Sequence, residues 1–248
     1  MVIAAEMLRS ILVQHALLSV LIKMDALGIR AYLENIRDQR TGLYNVNGLV
    51  VTIDGMHYAG KSSQIGSLLE TYKMVRIPPI MHHFRETSLE KSEARVAAIS
   101  NNDEEQVLNQ FIQDRVLAWQ RCLIPFLQQQ IPATAVLDRS SYSTLAAQML
   151  TGNFNSWTKI YSLVQKLFAE PILPSHVAIF LECSPEIAYE RRKKSDRQKK
   201  EFSPEQEREV FLKISEIVPN SIVINTDEYD LEDFPRLHRV LQKKFPKI

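Results

Sequence analysis

Residues 55–62 read GMHYAGKS and match the pattern G-x-x-x-x-G-K-[S/T] at every fixed position. An apolar, β-branched run at residues 49–53 precedes them, and apolar residues with helical spacing follow over residues 62–72. In this strand–loop–helix context the glycines let the backbone curl, so that its N–H groups and the helix N-terminus can bind phosphate oxygens. Two of only seven glycines stand at the two required positions. The sequence therefore predicts a loop that binds the phosphates of a nucleoside triphosphate.

Strands and helices alternate along the rest of the chain. Strands are predicted at residues 49–53, 134–137, 177–183 and 221–225, with an extended segment at 74–84. Helices are predicted at residues 62–72, 103–130 with a break near Pro125, 142–150, from 185 onward, and at 231–245. This alternation predicts an α/β fold whose parallel sheet is covered on both faces.

Residues 1–38 have the apolar spacing of two helices, the second capped by Asp25. A turn-rich segment with two glycines and two asparagines follows at residues 41–48, and we place a domain boundary between residues 47 and 48. The helices of residues 1–47 either pack on the main domain or form an interface with a second copy or a partner.

Composition narrows the class of protein. Of the 248 residues, 45% are hydrophobic and 24% are charged, and the net charge is +1, as in an ordinary globular chain. This balance favours neither nucleic acid nor a membrane surface as a partner, and the apolar run at residues 10–22 is too short to span a bilayer. Cys122 and Cys183 are too few for a disulfide scaffold or a cysteine-rich metal site. We expect a cytoplasmic location, with a mitochondrial one as the alternative.

Four further segments, in order after the loop, resemble motifs of the thymidylate kinases, which are nucleoside-monophosphate kinases. They are FRET at residues 84–87, FIQDR at 111–115, DRSSYSTLAAQ at 138–148, and the strand with its Pro-Glu and Glu-Arg pairs at 177–192. The resemblance implies a three-layer α/β/α P-loop fold with a five-stranded parallel sheet over residues 48–248, with residues 1–47 as an N-terminal helical extension. It also implies a homodimer and the transfer of a phosphoryl group from ATP to dTMP, giving dTDP.

The resemblance assigns roles on the donor side. ATP would be bound by the loop, the residue that follows it and an arginine at the start of the lid, namely Gly55, Met56, His57, Tyr58, Ala59, Gly60, Lys61, Ser62, Ser63 and Arg191. Within this set Lys61 would reach the β- and γ-phosphates, and Ser62 would hold Mg²⁺. Asp138 would either orient Arg139 or hold a water on Mg²⁺.

On the acceptor side, Arg85 and Arg139 would grip the phosphate of the acceptor, since a guanidinium binds phosphate bidentately. Phe111 would stack on the base, and Arg115, one helical turn further on, would bind its edge. Ser143 and Thr144 would read the pyrimidine. Without the resemblance, Phe111 is equally typical of a core residue, and Asp138 of a capping carboxylate.

Residues 190–201 hold seven basic and three acidic residues, hence a net charge of +4. They are either a solvated helix face or a lid that closes over the phosphates. In the family, a catalytic arginine comes from the phosphate loop or from the lid. Because Tyr58 stands at that loop position here, Arg192 and Arg197 are the candidates for stabilising the transferred phosphoryl group.

The chain departs from the family pattern on the acceptor side. His57 replaces the acidic residue that contacts the sugar 3′-hydroxyl, and as an acceptor-binding residue it would bond that hydroxyl through its imidazole. Ala147 replaces an aromatic residue that crowds the sugar 2′ position. Two other functions therefore stay open. One is a deoxynucleoside kinase with Glu86 as its general base. The other is a nucleotide-binding regulatory protein that docks through residues 1–47.

Overall fold

The computed structural model describes residues 25–61, 65, 75–77, 104–129, 134–152, 154–194 and 202–227. The first predicted helix within residues 1–38 and the one at 231–245 lie outside these ranges, as does most of the helix at 62–72. None of the described helices has the length and apolarity needed to cross a bilayer.

Five parallel strands form one sheet in the order β2-β3-β1-β4-β5. The strands are β1 (Leu49–Gly55), β2 (Val75–Ile77), β3 (Thr134–Asp138), β4 (Val177–Glu182) and β5 (Ser221–Asn225). The three central strands are apolar almost throughout and nearly every residue in them is buried, as expected for a parallel sheet with helices on its faces. The predicted α/β fold with a five-stranded parallel sheet is confirmed.

The described helices cover this sheet. They are α1 (Ala26–Leu43), α2 (Glu104–Ala118), α3 (Ile124–Leu127), α4 (Ser141–Leu150), α5 (Trp157–Leu167), α6 (Pro185–Lys193) and α7 (Pro204–Ile217). Helices α5 and α7 were not predicted from the sequence. Between α2 and α3 the helix widens to a π-turn at Trp119–Leu123, in which the Ile124 N–H donates to the Trp119 carbonyl. Pro125 follows immediately and lacks an N–H of its own, which explains the predicted break.

The strand order creates a switch point beside β1. β1 lies between β3 and β4, so the chain leaves β1 toward one side of the sheet and later returns to pair on the other. In open α/β sheets ligands bind at the carboxyl edge of the strands, at this kind of crevice. The predicted phosphate loop follows β1 at that position.

Helix α1 packs on the same core. Asp25 caps it by accepting a hydrogen bond from the Gly28 N–H at 2.9 Å, as predicted. Its Ile29 and Leu33 side chains are fully buried in the core cluster that includes the sheet, and α1 contacts both α5 and α7. The helix continues to Leu43, so the turn-rich connection begins at Tyr44 and not at residue 41.

Candidate active site

The phosphate loop begins where β1 presses against β4. Gly55 has a φ of +128°, and a Cβ atom at this position would lie 2.1 Å from the Leu181 carbonyl oxygen on β4. The next residue, Met56, donates its N–H to the same carbonyl oxygen at 3.2 Å. Only glycine fits this first position, because it needs both the positive φ and the missing side chain.

Left-handed backbone conformations curl the remainder of the loop. Tyr58 has a φ of +65° and Gly60 a φ of +76°, and Lys61 then begins a helix. Alternation of this kind turns successive N–H groups inward to form an anion-binding concavity. The described part of the predicted loop, residues 55–61, has the backbone that a phosphate requires.

Lys61 lies beneath the loop with only 7% of its surface exposed. Its Nζ donates to the Gly55 carbonyl at 2.9 Å and to the Met56 carbonyl at 2.5 Å. Burial, and next the charge of Arg139, lower the pKa of Lys61 to about 7, against the opposing effect of nearby carboxylates. The Lys61 amine is therefore close to half-protonated at neutral pH.

The Asp-Arg pair lies at the end of β3, directly beside the loop. In the strand register Asp138 pairs with Ile53 of β1, and it is buried. Arg139 follows with a φ of +68° and donates its N–H to the Ile53 carbonyl at 3.1 Å. This left-handed turn brings Arg139 close enough to Lys61 to lower the pKa of the lysine. Arg139 is therefore a second cationic side chain near Lys61 at the carboxyl edge of the sheet.

Asp54 ties this turn to the base of the loop. Its fully buried carboxylate accepts hydrogen bonds from the Ser140 N–H at 2.9 Å, the Ser140 hydroxyl at 2.7 Å and the Ser143 hydroxyl at 2.5 Å. The Ser143 hydroxyl, predicted to read the acceptor base, is thus bound to Asp54 in this state. Sequence reasoning missed Asp54, although an acidic residue directly before the first glycine of the loop was a usable signal.

Arg115 lies on α2 and is buried, with its guanidinium against the start of α4. Its Nη2 donates to the Ser140 carbonyl at 2.9 Å, while its Nη1 is buried and has no hydrogen-bond partner among the described residues. Burial lowers the pKa of Arg115 to about 10. A cavity of about 20 Å³ opens beside it, lined also by Arg139, Tyr142 and the Thr52 hydroxyl. One edge of the guanidinium is therefore structural, and the other is left without a hydrogen bond beside a small cavity whose lining is mostly apolar.

Phe111 and Thr144, the other described acceptor candidates, differ in burial. Phe111 lies on α2 one turn before Arg115, is half-buried and does not belong to the buried core cluster of the described residues. Thr144 is buried within α4. Base stacking by Phe111 therefore stays a prediction, with core packing as its alternative.

Arg191 on α6 links the loop to the end of β5. Its Nη1 donates to the Tyr58 carbonyl and to the Thr226 hydroxyl, each at 3.2 Å, and its Nη2 donates to the Thr226 carbonyl at 3.0 Å. Arg192, the next residue, is half-exposed near the end of the same helix. Of the predicted lid, residues 190–194 form the end of α6 and its cap, and residues 195–201 lie outside the described ranges.

His57 contacts a carboxylate that the sequence did not indicate. Glu207 on α7 accepts the His57 N–H at 2.6 Å and the His57 ring nitrogen Nδ1 at 2.5 Å. Helix α7 begins with a capping box between Ser203 and Gln206 and has Pro204 at its first position. This signal could have revealed the helix and, with it, the position of Glu207.

Several predicted site residues lie outside the described part of the chain. They are Ser62, Ser63, Arg85, Arg197 and, for the alternative function, Glu86. Their assigned roles stay predictions.

Comparisons with known proteins agree with this geometry. The family model described as "Thymidylate kinase" matches residues 53–234. The fold is similar to the crystal structure of thymidylate kinase from Ehrlichia chaffeensis, with a TM-score of 0.52 and 19% identity, covering 79% of this chain and 98% of that one. It is also similar to thymidylate kinase from Candida albicans, with a TM-score of 0.51 and 17% identity, covering 79% of this chain and 92% of that one. Among curated protein sequences no significant match is found.

The family match extends over most of the chain, and it includes the loop, the Asp-Arg pair and the helix that carries Arg191. The predictions of the family and of a nucleoside-monophosphate kinase are confirmed. The chain belongs to the thymidylate kinase family, whose reaction is the ATP-dependent phosphorylation of dTMP to dTDP.

Proposed function

We propose that this protein transfers the γ-phosphoryl group of ATP to the 5′-phosphate of dTMP, and that Lys61 and Arg139 act on the two sides of that transfer. The observation that carries this assignment is the backbone that positions them: Lys61 follows the left-handed loop after β1, and Arg139 follows β3, whose last residue pairs with Ile53 of β1. Two polyanionic substrates can meet only where cations offset their repulsion. The family assignment supports dTMP as the acceptor.

The donor half follows from the loop. The N–H groups of residues 58–61 and the Lys61 amine would hold the β- and γ-phosphates, while the N–H groups of Met56 and His57 are bonded to Leu181 and Glu207. The Arg191 guanidinium, already bound to the Tyr58 carbonyl, would lie beside the nucleotide on the outer side of the loop. Arg192 and Arg197 would come in from the lid to offset charge on the transferred group.

The acceptor half follows from α2 and the Asp-Arg turn. Arg139 and Arg85 would bind the phosphate of dTMP. An oxygen of that phosphate would attack the γ-phosphorus of ATP directly, so that no covalent enzyme intermediate is formed. Phe111 would stack on thymine, which its half-buried position outside the core supports. The unsatisfied Nη1 of Arg115 supports a hydrogen bond to the base edge. Ser143 and Thr144 complete the proposed site.

Mg²⁺ fits this site as a partner of ATP. The described residues contain no cluster of three or more candidate protein ligands, and Mg²⁺ in phosphoryl transfer needs only one or two carboxylates beside the phosphates and water. Asp138 is a buried carboxylate at the loop, and Ser62 would supply the hydroxyl. When bound, the ion would neutralise charge on the β- and γ-phosphates.

A homodimer in the cytoplasm completes the proposal. Both cysteines are free thiols, Cys122 exposed and Cys183 buried, which suits a reducing compartment. Light scattering on the purified protein should give twice the chain mass of 28.5 kDa. A mass of one chain at micromolar concentration would contradict the dimer.

The test of the function is ADP release from Mg·ATP with dTMP, dUMP, UMP, dCMP, thymidine or no acceptor. We expect strong stimulation by dTMP and none by thymidine. Stimulation by thymidine alone would favour the nucleoside kinase. No stimulation by any acceptor, in a protein that binds ATP, would favour the regulatory role. Lys61→Ala is the negative control, and turnover at the normal rate in that folded variant would contradict the phosphate-loop assignment.

Phe111→Ala tests the base site separately. Base–aromatic stacking contributes about 1–3 kcal/mol per base, so we expect the KM for dTMP to rise about tenfold or more while the KM for ATP changes little. Gln113→Ala, at an exposed position on the same helix, is the matched control. Equal effects of Phe111→Ala on both substrates would make the side chain a packing residue.

A further inference from the structure

The buried carboxylate of Glu207 and the phosphate loop are joined by two short hydrogen bonds. Glu207 is only 3% exposed and lies one helical turn into α7, among the buried residues Pro204, Phe211 and Ile214. One carboxylate oxygen accepts the backbone N–H of His57 and the other contacts the ring nitrogen Nδ1 of the same residue. Both oxygens of this side chain are therefore spent on a single residue of the loop, 150 positions away in the chain.

A buried carboxylate is costly unless it is paired. Burial alone raises the pKa of Glu207, but the hydrogen bonds and charge of His57, together with the charge of Lys61, bring it below its ordinary value. Glu207 is thus ionised at neutral pH. An ionised carboxylate only accepts hydrogen bonds, so the Nδ1 atom of His57 carries a proton in this contact.

The charge of Glu207 has the wrong sign for a phosphate ligand. A negative group beneath an anion-binding loop weakens phosphate binding by repulsion, so a direct role in holding ATP does not explain it. Its two hydrogen bonds to His57 instead act as a clamp, which here means that they hold one residue of the loop in place. They fix a backbone N–H and a side chain at the third position of a loop whose curl depends on left-handed residues at Tyr58 and Gly60.

We propose that Glu207 is a positioning residue, which holds the phosphate loop in its binding conformation through His57 and ties it to α7, the helix that follows the lid. The proposal rests on the proposed function only in that the loop binds the phosphates of ATP. Helix α7 begins at Pro204, just after the predicted lid at residues 190–201.

Binding of Mg·ADP, measured by calorimetry, tests this directly because it requires no acceptor and no turnover. We expect Glu207→Ala to weaken Mg·ADP at least tenfold and to raise the KM for ATP by a similar factor. Glu207→Gln keeps the shape and one accepting oxygen, so its effect should be intermediate. Glu209→Gln, at an exposed position on α7, is the matched control and should leave both values unchanged.

A second pair of variants separates positioning from general damage to the fold. His57→Asp sets a second carboxylate against Glu207, and we expect it to weaken Mg·ADP at least tenfold. Adding Glu207→Gln to His57→Asp supplies an amide N–H for the new carboxylate and should restore Mg·ADP binding to within threefold of Glu207→Gln alone. A purely structural role predicts additive losses without such rescue.

The proposal is overturned if folded Glu207→Ala binds Mg·ADP as tightly as Glu209→Gln does, or if the double variant shows no rescue. If Glu207→Ala fails to fold, the rescue experiment alone decides. The outcome is distinct from that of the proposed function: a protein with no dTMP kinase activity, whose Mg·ADP affinity still depends on Glu207, contradicts the acceptor assignment and supports the clamp.

Discussion

Lys61 changes its charge state close to neutral pH. Burial and the neighbouring Arg139 lower its pKa to about 7, while bound phosphates act in the opposite direction, because an adjacent negative charge stabilises the protonated amine. Nucleotide binding should therefore be coupled to proton uptake wherever the free lysine is neutral.

At pH 8 about nine-tenths of a lysine with a pKa near 7 is neutral, and at pH 6 about one-tenth is. We expect Mg·ADP binding to take up close to one proton at pH 8 and almost none at pH 6. Calorimetry in buffers with different ionisation enthalpies measures this uptake. Lys61→Arg, which stays charged at both pH values, should abolish the difference between them, and equal uptake at the two pH values in the natural protein would contradict the shifted pKa.

The residues of the site that sequence reasoning identified are those whose chemistry is local. The pattern at 55–62 needs only neighbours in the chain, and the positive φ at Gly55 and Gly60 follows from it. Asp54 and Glu207 escaped because their partners are 86 and 150 positions away. The position before Gly55 and the capping box at Ser203 mark these two carboxylates in the sequence, but their distant partners required the tertiary structure.

At the scale of elements, predictions were best for the buried strands. The last predicted strand matches β5, and the run at 134–137 is extended by one residue in β3, because continuous β-branched runs bounded by turns have few alternatives. Helix α5 was missed although Ser156 caps it and its Ile160, Leu163, Val164 and Leu167 are buried at helical spacing. Its polar residues and flanking tryptophan obscured that period.

The start of β1 depends on a histidine that must stay neutral. His176 lies just before β4. Its ring nitrogen Nδ1 accepts the Val50 backbone N–H at 3.0 Å, and its backbone N–H donates to the Val50 carbonyl at 2.9 Å. Burial, with Arg37 next, lowers the pKa of His176 to about 4. Protonation would replace the accepting lone pair with a second donor facing the Val50 N–H.

This arrangement predicts a loss of stability in acid. Between pH 6.5 and pH 4 the unfolded chain binds a proton at His176 and the folded chain does not, so the stabilisation is complete above pH 6.5 and declines as the pH falls toward 4. We expect this residue to lower the free energy of unfolding by about 1–2 kcal/mol at pH 5 relative to pH 7. Urea unfolding of the natural protein and of His176→Asn, whose amide oxygen can accept without titrating, measures the effect as their difference. Parallel pH profiles for the two proteins would contradict it.

At the scale of the whole molecule, α1 joins the kinase core. The domain boundary between residues 47 and 48 remains a prediction as a boundary, but the described part of the extension packs closely. Arg40 donates through Nη1 to the carbonyls of Phe168 and Ile172, at 2.8 Å and 2.5 Å, and the Tyr44 hydroxyl donates to Glu170 at 2.6 Å. The Arg40 guanidinium thus pairs backbone carbonyls at the end of α5 and in the loop after it, where helix carbonyls lack partners within the helix. The sequence indicated an amphipathic helix but held no sign of which surface it covers.

If α1 belongs to the core, a cavity in it destabilises the entire kinase. Leu33 is fully buried, whereas Leu27 on the same helix is 73% exposed. We expect Leu33→Ala to lower the free energy of unfolding by about 2–5 kcal/mol, and the control Leu27→Ala to change it by less than about 0.5 kcal/mol. In guanidinium chloride, tryptophan fluorescence and circular dichroism should report one shared transition that moves to lower denaturant for Leu33→Ala. Because both tryptophans lie outside residues 1–47, Trp119 buried in the core and Trp157 at the start of α5, an unmoved fluorescence transition would show that the extension unfolds by itself and that residues 1–47 form a separate unit.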